Sequence, residues 1–443
     1  GDDPSCHSSA QSEQNSRGYA YLSHVPILEP ADPQECYDFT KLGFEISEKF
    51  NMPVILRTTT RVAHQRMPVS YEIRNPKSEI RKAGEFVKNP RQFSTMPPRV
   101  MEMKKELLEK LEKIKLFAEK SKINKVSGGQ TSAKMGIVVS GVAYLYVLEA
   151  MKELGIDLPV LKVNMFYPLS EKIVGNFIKN LKKVLVVEEL EGYLEKEIKA
   201  IAKDVNPKLE IYGKGGAPWA LPEIGELNAD KIGGAVAKLT GKKFKVQKQK
   251  ITDVPKRHSR FCEGCPHVFS LAAIKRAAPE GTILGGDIGC YMMAGLEPFN
   301  MQDYLFSMAS SMGISHGVKK ATKQKVISLI GDATFFHSGI SGLINAVYNK
   351  SSPLFIILDN RTTAMTGNEP NPGMGKTGMG EDSQELKIEE IAKACGVKNI
   401  KVLDPINAKE LEDTVKDFLE KDDVSVIICR RICKLLENRQ KNG

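Results

Sequence analysis

Gly331-Asp332 and Asp359-Asn360 each close an apolar run in VISLIGDATFFHSGISGLINAVYNKSSPLFIILDN, residues 326–360. In a parallel α/β sheet, ligands bind beyond the carboxyl ends of the strands, where neighbouring loops diverge. The intervening segment has room for one helix, SGISGLINAVYNK, so a single right-handed crossover returns the chain beside its first strand. Asp332 and Asn360 then meet at one crevice. A carboxylate, an amide oxygen and a backbone carbonyl just past Asn360 are hard oxygen ligands that suit Mg²⁺, which typically takes phosphate oxygens as further ligands. The amides at the start of the helix after Gly331 favour the same anion. A diphosphate with Mg²⁺ satisfies both halves; the plainer reading is that Gly-Asp only terminates a strand.

A second group of residues able to do chemistry is the cysteines, at 6, 36, 262, 265, 290, 395, 429 and 433. They are too sparse for a disulfide scaffold and gather in the C-terminal half, which favours metal or redox work. Cys262-Glu-Gly-Cys265 can be half of a zinc site, a redox dithiol, or two cysteines near a turn. Zinc fingers repeat the motif a short distance on, and no second CxxC occurs. Cys429 lies inside an apolar run and reads as a buried small hydrophobe, as do Cys6, Cys36 and Cys395.

The elements that must position these residues follow from periodicity. TILGGDIGC, KVISLIGD, PLFIILDN and VSVIICR read as parallel strands separated by helical segments, within a domain spanning 258–443. Upstream, MGIVVSG, LPVLKV and KVLVVEEL alternate with helical patterns and mark a second doubly wound domain over 135–240. VPILEP, PQECYDFTKLGFEISEKFN and MPVILRTTT form a strand, helix and strand within 1–70, and the Pro-, Arg- and Lys-rich stretch 71–134, with a strongly charged helix at about 99–120, reads as a linker. Both ends look cut: the chain opens on a site-like loop, GDDPSCHSSAQSEQNSR, with no strand before it.

Composition narrows the function classes. The chain has 443 residues, is 41% hydrophobic and 27% charged, and carries 64 basic against 54 acidic residues. Much of the lysine excess sits on solvated helical segments such as KKELLEKLEKIK, with no arginine-and-aromatic patch, so nucleic acid is not the expected partner. No apolar run approaches the roughly 20 residues of a membrane-spanning helix and no signal-peptide pattern opens the chain, which points to the cytoplasm.

GD followed by N 28 residues later resembles the thiamine diphosphate motif. With RTTAMTGNEPNPG, EPADPQECYDF, RTTTR, FCEGCPH and GDIGC, the whole chain resembles the alpha subunit of the indolepyruvate ferredoxin oxidoreductases. That resemblance implies an α/β protein of several doubly wound parallel-sheet domains of thiamine diphosphate-enzyme type. It makes 1–70 the C-terminal part of a pyrimidine-binding domain, 135–240 a middle domain like the transketolase C-terminal domain, and 258–443 the pyrophosphate domain. It implies Mg²⁺ held by Asp332, Asn360 and the Thr362 carbonyl, and a diphosphate lined by Gly331, Ala333, Thr334, Thr366 and Gly367. The family motif has glycine where Ala333 stands.

The same resemblance makes Cys290, 25 residues after Cys265, and Cys433, in RRIC, partners of the CxxC in a 4Fe–4S cluster. Zinc and unligated thiols remain as alternatives. His267 could face the thiamine ring and His337 the phosphate or substrate, or both could be ordinary loop histidines. The reaction implied is oxidative decarboxylation of arylpyruvates with CoA, passing electrons to ferredoxin, in a hetero-oligomer with a beta subunit. The catalytic glutamate is expected upstream of residue 1 and a ferredoxin-like domain after the last residue, so the chain alone is expected to be inactive. Two other readings stand beside it: a non-oxidative thiamine decarboxylase or synthase, and a silent assembly subunit.

Overall fold

The computed structural model describes residues 3–4, 12–71, 85–130, 132–215, 217, 220–245 and 259–442. Cys6, His7, most of the opening loop and His258 lie outside the described residues. The chain forms two compact units, Gly1–Thr252 and Asp253–Gly443. Among the described residues no helix is long and apolar enough to cross a membrane.

In the first unit, Lys125–Ser127, Val160–Val163, Met135–Ser140, Lys183–Val187 and Glu210–Tyr212 form one sheet in that order. Only the Lys125–Ser127 edge runs antiparallel. Side chains alternate between faces along each strand. Ile137, Val139, Leu185 and Val187 therefore pack under helices Ala143–Leu154 and Ala229–Thr240. Val138, Val184 and Val186 pack on the other face under Glu171–Ile178 and Tyr193–Val205. A small second sheet joins Ile55–Leu56, Ile27–Leu28 and Met165–Tyr167.

Helix Pro33–Phe50 begins as its sequence dictates: the Asp32 carboxylate accepts the Glu35 N–H at 2.9 Å, Pro33 occupies the first turn, and Asn51 ends it in the left-handed region. The charged helix expected at about 99–120 is present as Arg99–Lys120. Helix Arg99–Lys120 buries Leu111, Ile114 and Ala118 against Phe39, Ile46 and Leu28, because its apolar positions recur at helical spacing between the lysines.

Segments far apart in sequence are locked together by charge. Arg17, 1% exposed, grips Glu29 through Nε at 2.6 Å and Nη2 at 2.8 Å, Glu188 at 3.0 Å and the Ser140 hydroxyl at 2.8 Å. Arg57 adds a bond to Glu29 at 3.2 Å and also pairs with Asp3. Glu188 in turn accepts the N–H groups of Leu194 and Glu195 at a helix start. Removing one partner of such a network leaves a buried charge uncompensated. Arg17→Met is expected to destabilise the protein by about 3–5 kcal/mol, measured as a shift in the urea unfolding midpoint. A change within about 0.5 kcal/mol, the range of an ordinary surface substitution, would contradict that.

The second unit is a five-stranded parallel sheet ordered Asn399–Leu403, Ser425–Arg430, Leu354–Asp359, Val326–Gly331 and Ile283–Gly285. The three central strands are buried almost throughout, which explains their unbroken apolar runs. Asn399–Leu403 went unrecognised in the sequence because it is a half-exposed edge strand whose Asn399 and Lys401 interrupt the apolar pattern. Cys429 is buried within its strand, as its surroundings predicted, whereas Cys36 and Cys395 are only partly buried.

Candidate functional site

Parallel register sets Gly331 opposite Leu358, so Asp332, which follows the first strand, and Asp359-Asn360, at the end of the second, emerge at one edge. The crossover between them is helical from Asp332 itself, passes through a π-turn at Phe335–Gly339, and continues to Tyr348. Ala333 thus adopts ordinary helical geometry, and its methyl group causes no strain where the family motif has glycine.

The Thr362 N–H donates to Asn360 Oδ1 at 3.2 Å, and Asp332, Asn360 and Thr362 face one cavity. Asp332 accepts the Ala333 N–H at 2.8 Å and the Asn371 Nδ2 at 3.0 Å. Among the described residues it makes no ion pair, although it is 4% exposed. Burial, and then the neighbouring Asp359, push its carboxyl up to about 7. Asp359 does have a cation: Arg430 Nε lies at 2.6 Å, held from behind by Glu389. A buried carboxylate without a counter-charge, beside an amide oxygen, fits a hard divalent cation.

Asp332, Asn360 and Thr362 line one cavity with Gly331, Ala333, Thr334 and Thr366. Gly367 follows Thr366 at φ 140° but does not line it. Beneath the Gly-Asp turn stands Tyr291, whose hydroxyl accepts the Gly331 N–H at 2.8 Å and donates to the Ile288 carbonyl at 2.9 Å. A Cβ on Gly331 would sit 2.9 Å from the Tyr291 ring, so only glycine lets the turn rest there. Tyr291→Phe leaves the buried Gly331 N–H and the partly buried Ile288 carbonyl without this partner, which costs about 1–3 kcal/mol. Reduced stability by urea unfolding and weaker thiamine diphosphate binding are the expected outcome; undiminished values for both would show that the hydroxyl does not hold the turn.

His267 is buried under the same cavity, its ring edge-on to Tyr291 at 5.9 Å and its Nε2 3.4 Å from Asn360 Nδ2. Burial lowers its pKa to about 4, so the imidazole is neutral near pH 7. His337 is exposed on the π-turn and does not line the cavity. The structure brings His267 to the site and leaves His337 outside it.

Cys262, Cys265, Cys290 and Cys433 line a second cavity. Gly264, at φ 70°, permits the tight turn in which the Cys265 N–H bonds the Cys262 carbonyl at 3.1 Å. Burial raises the Cys265 thiol to about 11, with the other three thiols adding to the rise and the His267 N–H opposing it. The Asn368 amide reaches Cys433 Sγ at 3.9 Å. Among the described residues no group of three or more His, Cys, Asp or Glu side chains is close enough to hold a single metal ion. A lone zinc would draw four sulfurs to about 2.3 Å from one point; an iron–sulfur cube takes one thiolate at each iron, so its sulfurs stand further apart. His267, Cys290, Asn360 and Ala364 line both cavities.

Tyr291, Asn371, Arg430 and Asp287 were not singled out in the sequence. Asp287 is wholly buried and accepts the N–H groups of Ile288, Ala309 and Ser311, which ties the GDIGC loop to the next helix. Asp287 and Asn371 do lie inside quoted motifs, and only their hydrogen bonds reveal what they hold.

Fold and site define a thiamine diphosphate-dependent enzyme: residues 287–429 match the family described as thiamine pyrophosphate enzyme, C-terminal TPP binding domain. Residues 124–257 match the indolepyruvate oxidoreductase domain. The chain belongs to the family of indolepyruvate oxidoreductase subunit IorA. It is 42% identical to that subunit from Methanothermobacter thermautotrophicus over 442 residues, 98% of this chain and 70% of the relative. It is 39% identical to the subunit from Thermococcus kodakarensis, again over 98% of this chain and 70% of the relative. A shorter match, 29% identical over 30% of this chain and 66% of the relative, is to the sulfopyruvate decarboxylase subunit beta of Methanococcus maripaludis.

Proposed function

We propose that this chain is the thiamine diphosphate-binding subunit of an enzyme that oxidatively decarboxylates arylpyruvates, such as indolepyruvate and phenylpyruvate. CoA takes up the acyl group, CO₂ leaves, and electrons pass through a 4Fe–4S cluster to ferredoxin. The observation that carries this reading is the wall shared by the Asp332–Asn360 cavity and the four-cysteine cavity. A non-oxidative decarboxylase needs the first cavity alone.

When bound, thiamine diphosphate supplies the carbon nucleophile and the electron sink for decarboxylation. Asp332, Asn360 and the Thr362 carbonyl would hold Mg²⁺. Gly331, Ala333 and Thr334 at the start of the helix, with Thr366 from the loop after Asn360, line the cavity and would receive the diphosphate. Ile288, Met308, Leu358 and Met365 give the cavity an apolar lining, which limits water and strengthens the electrostatic contacts inside. Cys262, Cys265, Cys290 and Cys433 would hold the cluster, so electrons leaving the first cavity cross only the shared wall. CoA and ferredoxin would be engaged together with a beta subunit in a hetero-oligomer.

The test is anaerobic copurification of the chain, extended by an upstream segment that carries the expected glutamate, with the beta subunit, then iron and acid-labile sulfide analysis and an assay of CoA-dependent ferredoxin reduction. Indolepyruvate or phenylpyruvate is expected to drive the reduction. Reduction with pyruvate and not with arylpyruvates would reject the substrate class, and stoichiometric zinc without sulfide would reject the cluster.

A further inference from the structure

We propose that His267 is a positioning residue of the cation site, accepting a hydrogen bond from Asn360 Nδ2 and so deciding which end of that amide faces Asp332. The inference rests on the Mg²⁺ reading of the site. An asparagine amide has one acceptor end and one donor end, and only the oxygen can ligate a cation. Here Oδ1 accepts the Thr362 N–H at 3.2 Å, and Thr362 lines the same cavity as Asp332, which turns the oxygen toward that cavity. The NH₂ end points the other way and meets His267 Nε2 at 3.4 Å.

Turned over, the amide would present two N–H groups to the place where a cation belongs. The backbone of Asn360 is held separately, its carbonyl accepting the Cys433 N–H at 2.9 Å. What remains to be set is the side chain's orientation, and His267 is the partner its donor end finds. Acceptance at Nε2 puts the ring proton on Nδ1. The ring is itself held edge-on to Tyr291, at the first turn of helix Pro266–Ala277. Groups that orient a metal ligand without touching the metal typically govern affinity by about 10–100-fold.

The experiment is calorimetric titration of Mg²⁺ in the presence of thiamine diphosphate, on the full chain purified anaerobically, with thermal melts and iron content as controls for folding. His267→Phe keeps a flat ring against Tyr291 but has no acceptor, and is expected to weaken Mg²⁺ by about 10–100-fold. His267→Gln places an amide oxygen close to the position of Nε2 and is expected to bind like the wild type. In an Asn360→Asp background there is no amide to orient, so adding His267→Phe is expected to cause no comparable loss. Unchanged affinity in folded His267→Phe overturns the proposal. Loss of the same size in both backgrounds overturns it too, since a merely structural role would produce that. If His267→Phe does not fold, a folded His267→Gln that loses affinity by about tenfold or more overturns it on its own. Wild-type protein that binds no thiamine diphosphate in the presence of Mg²⁺ overturns the reading of the site itself.

Discussion

Asp332→Ala is expected to weaken Mg²⁺-dependent thiamine diphosphate binding by more than about 100-fold, beyond what loss of a mere orienting group causes. It is also expected to make the cofactor-free protein less sensitive to pH. The Asp332 carboxyl is raised from 3.8 to about 7 because it is buried, lies near Asp359, and makes no ion pair among the described residues. Between those values the folded chain holds a proton that the unfolded chain has released, so stability falls as pH rises. The contribution is full below 3.8 and is lost as pH climbs through about 7. Melting temperatures of the wild type without cofactor are expected to fall across that window more steeply than those of Asp332→Ala. Mg²⁺ with thiamine diphosphate is expected to restore the wild type above pH 7 by binding only the folded state. Parallel pH profiles for the two proteins would contradict this account, as would undiminished calorimetric binding by Asp332→Ala.

Cys290→Ser is expected to bleach the anaerobically purified protein and to remove its acid-labile sulfide, since a cube with one weak corner ligand is readily lost. The effect on electron transfer to ferredoxin is expected to be near-complete. Thiamine diphosphate binding is expected to survive, because Cys290 only borders that cavity and Asp332, Asn360 and Thr362 are untouched. Cys429→Ser provides the contrast: Cys429 is buried within a strand, its thiol pushed up to about 12 by burial, and its loss is expected to leave the colour unchanged. A brown Cys290→Ser protein with full sulfide would remove Cys290 from the ligand set.

The parts of this fold that could be read from sequence are those whose cause is local. Val326–Gly331 and Leu354–Asp359 are continuous apolar runs because both faces are covered, and each ends on residues whose chemistry shows in their type. Gly331-Asp332, Asn360 and Cys262-x-x-Cys265 were visible for the same reason. Tyr291 was not, since it reads as another core aromatic until its hydroxyl is seen 2.8 Å from the Gly331 N–H, 40 residues away. Arg430 was not singled out, because its pairing with Asp359 depends on strand register. His337 stands outside the cavity because adjacency in sequence to a diphosphate turn does not fix direction: five residues along, the helix has turned it outward.

The Arg17 network also bears on how the chain is made. Arg17 and Glu29 are translated within moments of each other, but Glu188 lies 171 residues after Arg17. At about 5–20 residues per second, roughly 10–30 s separate the synthesis of the two partners. During that interval the arginine can pair with Glu29 but cannot meet the helix start that Glu188 brings. The opening segment must therefore wait for the sheet around Met135–Ser140 and Lys183–Val187 before its guanidinium is enclosed. A ribosome stalled before residue 188 would carry an N-terminal segment that proteases can still reach.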